Sequence, residues 1–196
     1  LHFTIHSFPT RRSSDLHRNR YFQARAHNLL GEIARERGEL ESAGRHYEEA
    51  RRGFEACGAS DVTVPALNAV FVSVANRDFE RAADRLETFD KLLEGRESEG
   101  MASCLHLGEC CCGAGRRRAA RFDAAIEAAE ENLASHEFLQ PEHAECAEPA
   151  AEAAADADDE VRARRMYRFA RSMWRELGEP EEVERLEELL AEVPPL

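Results

Sequence analysis

The sequence predicts an all-α protein, an α-solenoid of about four helical hairpins closed by a C-terminal capping helix. Three observations carry that expectation. Ala, Arg, Glu and Leu dominate the 196 residues, and these side chains lose little freedom in a helix. Aromatics are only 7% and β-branched residues are sparse outside 62–74, a poor composition for half-buried strands. Finally, residues 41–58 (ESAGRHYEEARRGFEACG) align without gaps to 161–178 (VRARRMYRFARSMWRELG). Self-similarity at a long interval is the mark of a repeat architecture.

The elements follow in order. Residues 6–16 read HSFPTRRSSDL, which resembles the in-frame translation of a widely used sequencing adapter. That resemblance implies an artefactual leader over 1–16, expected to be disordered and excluded from fold reasoning. The natural part then starts near 17 and reads as the tail of a longer protein. Leu30-Gly31 opens a helical pattern that stops at Gly38, and Leu107-Gly108 with Gly115 repeats it. In the recurring segment Ala43, Arg45, Tyr47, Ala50, Arg51 and Gly58 return as Ala163, Arg165, Tyr167, Ala170, Arg171 and Gly178, with Trp174 in place of Phe54. A small residue, a large one four later and Ala three beyond share one helix face, so the small side chains admit a neighbouring helix. Phe79, Ala82, Leu86 and Phe89 give a weaker copy. The successive offsets are read as 39, 38 and 43 residues, which places Arg117 and Ala124 at large-residue positions of the third copy, with Phe122 and Ile126 as compensation.

The expected hairpins span 17–58, 62–95, 100–138 and 141–178, followed by a cap and tail over 179–196. In the cap, Pro180 suits a first-turn position beside Glu181 and Glu182, and Val183, Leu186, Leu190 and Val193 form one apolar stripe. Such a helix closes the open end of a stack. Pro194 and Pro195 stop it.

Leu30, Gly31, Gly38, Leu40, Ala43, Tyr47 and Ala50 together resemble the tetratricopeptide repeat family, which pairs Leu-Gly in its first helix with Ala-x3-Phe/Tyr in its second. The resemblance spans about 17–178. The family Trp is missing and the spacing exceeds 34 residues, implying longer turns between repeats. Ending a long repeat in Trp174–Pro180 (WRELGEP) is similar in style to the C-terminal arrays of bacterial multidomain serine/threonine kinases and ATPase-linked transcription regulators. The resemblance implies a non-catalytic interaction or sensory arm of a signalling protein, any catalytic part lying upstream. It further implies a partner-binding groove along the first helices, lined by Asn28, Glu32, Arg35, Val64, Leu67, Phe71, Leu105, Glu109, Glu148 and Glu152. An apolar centre and acidic end suit a basic amphipathic helix as partner. Alternatively, the apolar segment 64–74 lies beneath a missing N-terminal domain or a partner subunit. Only Asn28 matches the Lys/Arg/Asn clamp by which heat-shock-chaperone adaptors grip a C-terminal carboxylate, and Glu32 and Glu109 would repel that ligand, so a chaperone adaptor is not expected.

Charge and motifs exclude other classes. With 26 basic against 39 acidic residues the formal net charge is −13, unfavourable for a nucleic-acid partner; the run Arg116-Arg117-Arg118, with Arg121 on the face of Arg117, reads as local pairing with acidic helices. The most apolar stretch, 62–75, has 14 residues and contains Thr, Asn and Ser, too short to span a bilayer. With no export signal either, a cytoplasmic protein with reduced thiols is expected. Gly113-Ala114-Gly115 lacks the context and Lys-Ser/Thr ending of a phosphate loop and reads as an interhelical turn. No nucleophile–base pairing stands out, so no catalytic residue, cofactor or metal is assigned. The competing reading is a thiol-based metal-binding or redox-sensing module built on Cys104, His106, Cys110, Cys111 and Cys112. Three successive cysteines on a helix point about 100° apart and cannot ligate one ion together, so packing is the expected role. His143 and Cys146 are read in the same way.

Overall fold

The computed structural model describes residues 11–95, 99–115, 119–133, 139 and 141–193. Among these there are helices and turns but no strand. The chain divides into two compact units, Leu1–Pro65 and Ala66–Leu196.

In the first unit α1 (Arg11–Glu36) and α2 (Leu40–Ala56) form a hairpin, followed by a 3₁₀ turn, Ser60–Val62, and the start of α3 (Thr63–Ala75). The adapter-like stretch was expected to be disordered throughout, yet its last six residues, 11–16, are helical. Beyond Pro9 no Gly or Pro occurs until Gly31, so nothing in the chain breaks α1 early. The remainder, 1–10, lies outside the described residues. The hairpin closes by matching absent side chains to large ones. A Cβ at Gly31 would come within 2.6 Å of the Tyr47 ring, and one at Gly53 within 2.8 Å of the Ala24 Cβ. Tyr47 is fully buried beside Ala43, Ala50 and Phe54. Tyr21 packs edge-on against Phe54 and its hydroxyl donates to Asp61 Oδ2 at 2.6 Å.

In the second unit α4 (Phe79–Leu93), α5 (Glu99–Gly115), α6 (Ala119–Leu133), α7 (Pro141–Asp156), α8 (Glu160–Leu177) and α9 (Pro180–Glu192) complete the chain. Each packs on a neighbour in sequence order, and α5 also packs on α7, which is how hairpins stack in an α-solenoid. Val70, Leu86, Phe89, Leu107, Phe122, Ile126, Met166 and Leu186 lie in one core. α7 is thin because its inward face is Ala144, Ala147, Ala150, Ala151 and Ala154, which lets it sit against both α5 and α8. Between α6 and α8, Arg162 Nε donates to Asp123 at 2.8 Å and Arg165 Nη2 to Glu130 at 2.7 Å. The Arg162 hydrogen bond holds the Asp123 carboxyl below its ordinary range.

The register of the third hairpin differs from the expectation. Ala82, Leu86, Phe89 and Leu93 have buried counterparts in Phe122, Ile126, Ala129 and Leu133, then in Ala163, Tyr167, Ala170 and Trp174, so the offsets are 39, 40 and 41 residues rather than 39, 38 and 43. Ala124 is therefore not a core-facing position. Phe122 occupies the small-residue position because Gly113, opposite, has no side chain: a Cβ there would meet the Phe122 backbone at 3.1 Å. Gly113 and Ala114 are accordingly inside α5, not in the expected turn.

One turn geometry links the two helices of three hairpins, α1–α2, α3–α4 and α7–α8. Gly38, Arg77 and Asp158 take left-handed backbone conformations at φ 74°, 57° and 58°. In each the following residue's N–H reaches back to a carbonyl five residues earlier: Glu39 to Ala34, Asp78 to Ser73, and Asp159 to Ala154. This paired helix-ending pattern satisfies carbonyls that the helix leaves open. Asp78 and Asp159 then cap α4 and α8 by accepting from Arg81 and Arg162 N–H groups. At the chain's end Pro180 starts α9 as expected, Leu186 and Leu190 are buried, and Arg164 donates to the Val193 carbonyl.

A non-glycine residue in the left-handed region costs about 1–2 kcal/mol, part of which glycine gives back through its looser unfolded chain. Asp158→Gly is expected to stabilise by about 0.5–1 kcal/mol in urea unfolding; destabilisation would show that the turn geometry is wrong.

Candidate functional site

In the second unit a cleft of about 320 Å³ lies among α4, α5 and α6. Ala83, Leu86, Leu105 and Cys112 give it apolar walls, while Asp84, Glu87, Asp90, Glu109 and Arg121 supply the charges. Helical spacing explains the acidic rim. Asp84, Glu87 and Asp90 recur every three residues of α4, so they share one face, while Ala82, Leu86, Phe89 and Leu93 point into the core. Glu109 is held by Arg121, whose Nη2 donates at 3.0 Å, and lies 3.4 Å from His106 Nδ1. Lys91 pairs with Glu87 at 2.7 Å and draws its carboxyl below the ordinary range. Four carboxylates against Arg121 leave the lining electronegative.

The residues expected to form one groove separate as follows. In the first unit, Asn28 and Val64 meet in a shallow pocket of about 150 Å³ with Arg25, Leu29, Phe54 and Asp61. Asn28 donates to Glu32 at 2.8 Å, and the Arg35 guanidinium lies near the Tyr47 hydroxyl, whose titration burial pushes upward. In the second unit Leu105 and Glu109 line the cleft. Leu67 instead is a buried core residue and Phe71 packs half-buried against the same core; both sit on α3, whose apolar residues run almost all round the helix, so an open groove face is not available to Leu67. Glu148 accepts from Trp174 Nε1 at 2.9 Å and Arg185 Nη2 at 2.7 Å, tying α7 to α8 and α9. Glu152 is exposed. Sequence reasoning missed the α4 wall because it assigned ligand contact to the first helix of each hairpin; the i, i+3, i+6 carboxylates of α4 were the available signal.

The cysteine cluster is packed rather than presented. Cys104, Cys110, Cys111, Cys112 and Cys146 are all buried. Cys110 Sγ lies 3.9 Å from the Phe122 carbonyl and Cys111 Sγ 3.4 Å from the Cys146 carbonyl. Burial drives both thiols far above their ordinary titration range, so they stay protonated and weakly nucleophilic. Among the described residues no group of three His, Cys, Asp or Glu side chains is placed to hold a metal ion. His143 is also buried. Arg116, Arg117 and Arg118 lie outside the described residues, whereas Arg121 makes the local ion pair expected of it. Among the described residues no helix is long and apolar enough to cross a membrane.

Disulfide-exchange titration of the reduced, folded chain at neutral pH is expected to modify Cys57 first, with Cys110 and Cys111 reacting only on unfolding. Rapid labelling of either buried thiol, located by mass spectrometry, contradicts this packing.

No protein-family model matches the sequence, and no curated protein is significantly similar to it.

Proposed function

We propose that the chain is a non-catalytic protein–protein interaction scaffold of tetratricopeptide-like hairpins, whose cleft among α4, α5 and α6 takes a basic amphipathic helix from a partner protein. The carrying observation is the pairing of part-exposed apolar walls at Ala83 and Leu105 with a rim of Asp84, Glu87, Asp90 and Glu109. An incoming helix buries its apolar stripe on the walls, and its Lys or Arg residues face the carboxylates. Burial supplies most of the affinity, while charge steers encounter and fixes orientation. The similarity of the repeat style to bacterial kinase and regulator tails supports a role as the interaction arm of a larger signalling protein acting in the cytoplasm. The thiol-sensing alternative needs accessible thiolates, which the burial of Cys110 and Cys111 opposes.

Fluorescence anisotropy with a labelled 18-residue Leu/Lys amphipathic peptide is the test. Micromolar binding is expected, weakening steeply with salt and by about tenfold in the pair Asp84→Asn and Asp90→Asn. A Leu/Glu peptide of the same length is expected not to bind, and Glu188→Gln on the outer face of α9 to change nothing. Equal affinity for both peptides, or indifference to the α4 substitutions, overturns the reading.

A further inference from the structure

The outward face of α1 carries Phe22, Leu29, Leu30 and Ile33 at 53%, 57%, 45% and 44% exposure. Phe22, Ala26, Leu29 and Ile33 follow spacings of four, three and four residues, so they form a single stripe about 16 Å long on the side opposite Ala24, Gly31 and Ala34, which face α2 or are buried with it. The stripe lies wholly beyond the adapter-like stretch. Buried Ala24, Gly31 and Ala34 of α1 correspond at an offset of 79 residues to buried Ser103, Cys110 and Gly113 of α5, so Gly108 is the counterpart of Leu29 and not, as the sequence pattern suggested, of Gly31; within the second unit it packs directly against Leu86 and Val70. This side of a first helix is therefore a packing surface in the repeat design, and on α1 it is exposed.

The charges beside the stripe identify what covers it. Arg18 and Arg25 border one edge in the N-terminal half, and Arg18 lies over the Phe22 ring at 6.0 Å. Glu32 and Glu36 border the same edge in the C-terminal half. In a parallel pair this charged edge would face the other edge of the second copy, which carries Asn19, Gln23 and Leu30 and offers no charge to meet it. Antiparallel pairing brings Arg18 and Arg25 of one copy to Glu36 and Glu32 of the other, twice over, while Phe22 meets the other copy's Ile33 and the two Leu29 side chains meet near the axis. An edge that is complementary to itself only after a half-turn rotation is the requirement of an isologous interface.

We infer that α1 is a homodimerisation helix: two copies of this chain pair antiparallel through Phe22, Ala26, Leu29 and Ile33, with two symmetry-related Arg25–Glu32 ion pairs along one flank. Three helical turns give a contact at the small end of specific interfaces, so the dimer is reversible, with a dissociation constant of about 1–100 μM.

Sedimentation equilibrium of the full reduced chain from about 1 to 500 μM tests this. A monomer–dimer equilibrium is expected. Leu29→Glu on the exposed face should weaken it at least tenfold with an unchanged circular dichroism spectrum. Arg25→Glu alone and Glu32→Arg alone should each weaken association, and the double variant should regain most of it. A monomer throughout, association insensitive to Leu29→Glu, or a double variant no better than the single ones each overturns the inference.

Discussion

Among the described residues, several close contacts between helices occur where one of the two surfaces gives up its side chain. Gly31 lies under Tyr47, Gly108 under Leu86 and Gly113 under the backbone of Phe122. Glycine inside a helix costs about 1 kcal/mol relative to alanine, so its repeated use is intelligible only if the close contact returns more. It does so by burying a large side chain, with Tyr47 and Phe122 fully inaccessible and Leu86 nearly so. Dense packing then makes each interface intolerant of added volume.

The polar chemistry of the chain follows from that packing. Helices this close leave no room for isolated charges inside, and the ion pairs lie at half-exposed edges, such as Arg162–Asp123 and Arg165–Glu130 between α6 and α8. At such exposure each contributes little to stability; their value is in setting how α8 sits on α6. Cysteine fits the same logic. It fills small interior volumes on α5, where burial keeps Cys110 and Cys111 protonated and removes the reactivity that a run of three suggests. Surplus acidic charge is displaced to outer faces, and on α4 it collects beside an apolar cleft.

Much of this was legible from residue patterns. Helical class, the Pro180 start, the Gly178 stop, the buried roles of Tyr47 and Trp174 and the apolar stripe of α9 all follow from local rules of propensity, capping and periodicity, and the structure has each of them. The third hairpin was misregistered by two residues because volume was exchanged across an interface: Phe122 stands at the position that Ala82 and Ala163 hold in other hairpins, and Gly113 opposite gives up its side chain to admit it, a compensation invisible along either helix alone. Arg77 and Asp158 hide two turns in the same way, since each adopts a backbone conformation usually signalled by glycine. The binding surface was the least legible part. Which face of a helix stays open depends on how its neighbours stack, so Leu67 fell in the core, Glu148 went to brace Trp174 and Arg185, and the carboxylates of α4 came to line the cleft.

The claim that small-under-large contacts hold the hairpins together is tested most directly by a double-mutant cycle at Gly31 and Tyr47, followed by chemical unfolding. Gly31→Ala is expected to destabilise the native chain by about 1–2 kcal/mol despite the better helix propensity of alanine. In a Tyr47→Leu background the same change should be neutral or stabilising, giving a coupling of about 1 kcal/mol or more. Additivity of the two substitutions within about 0.3 kcal/mol would contradict the account, since it would mean that the missing Cβ and the aromatic ring do not depend on each other.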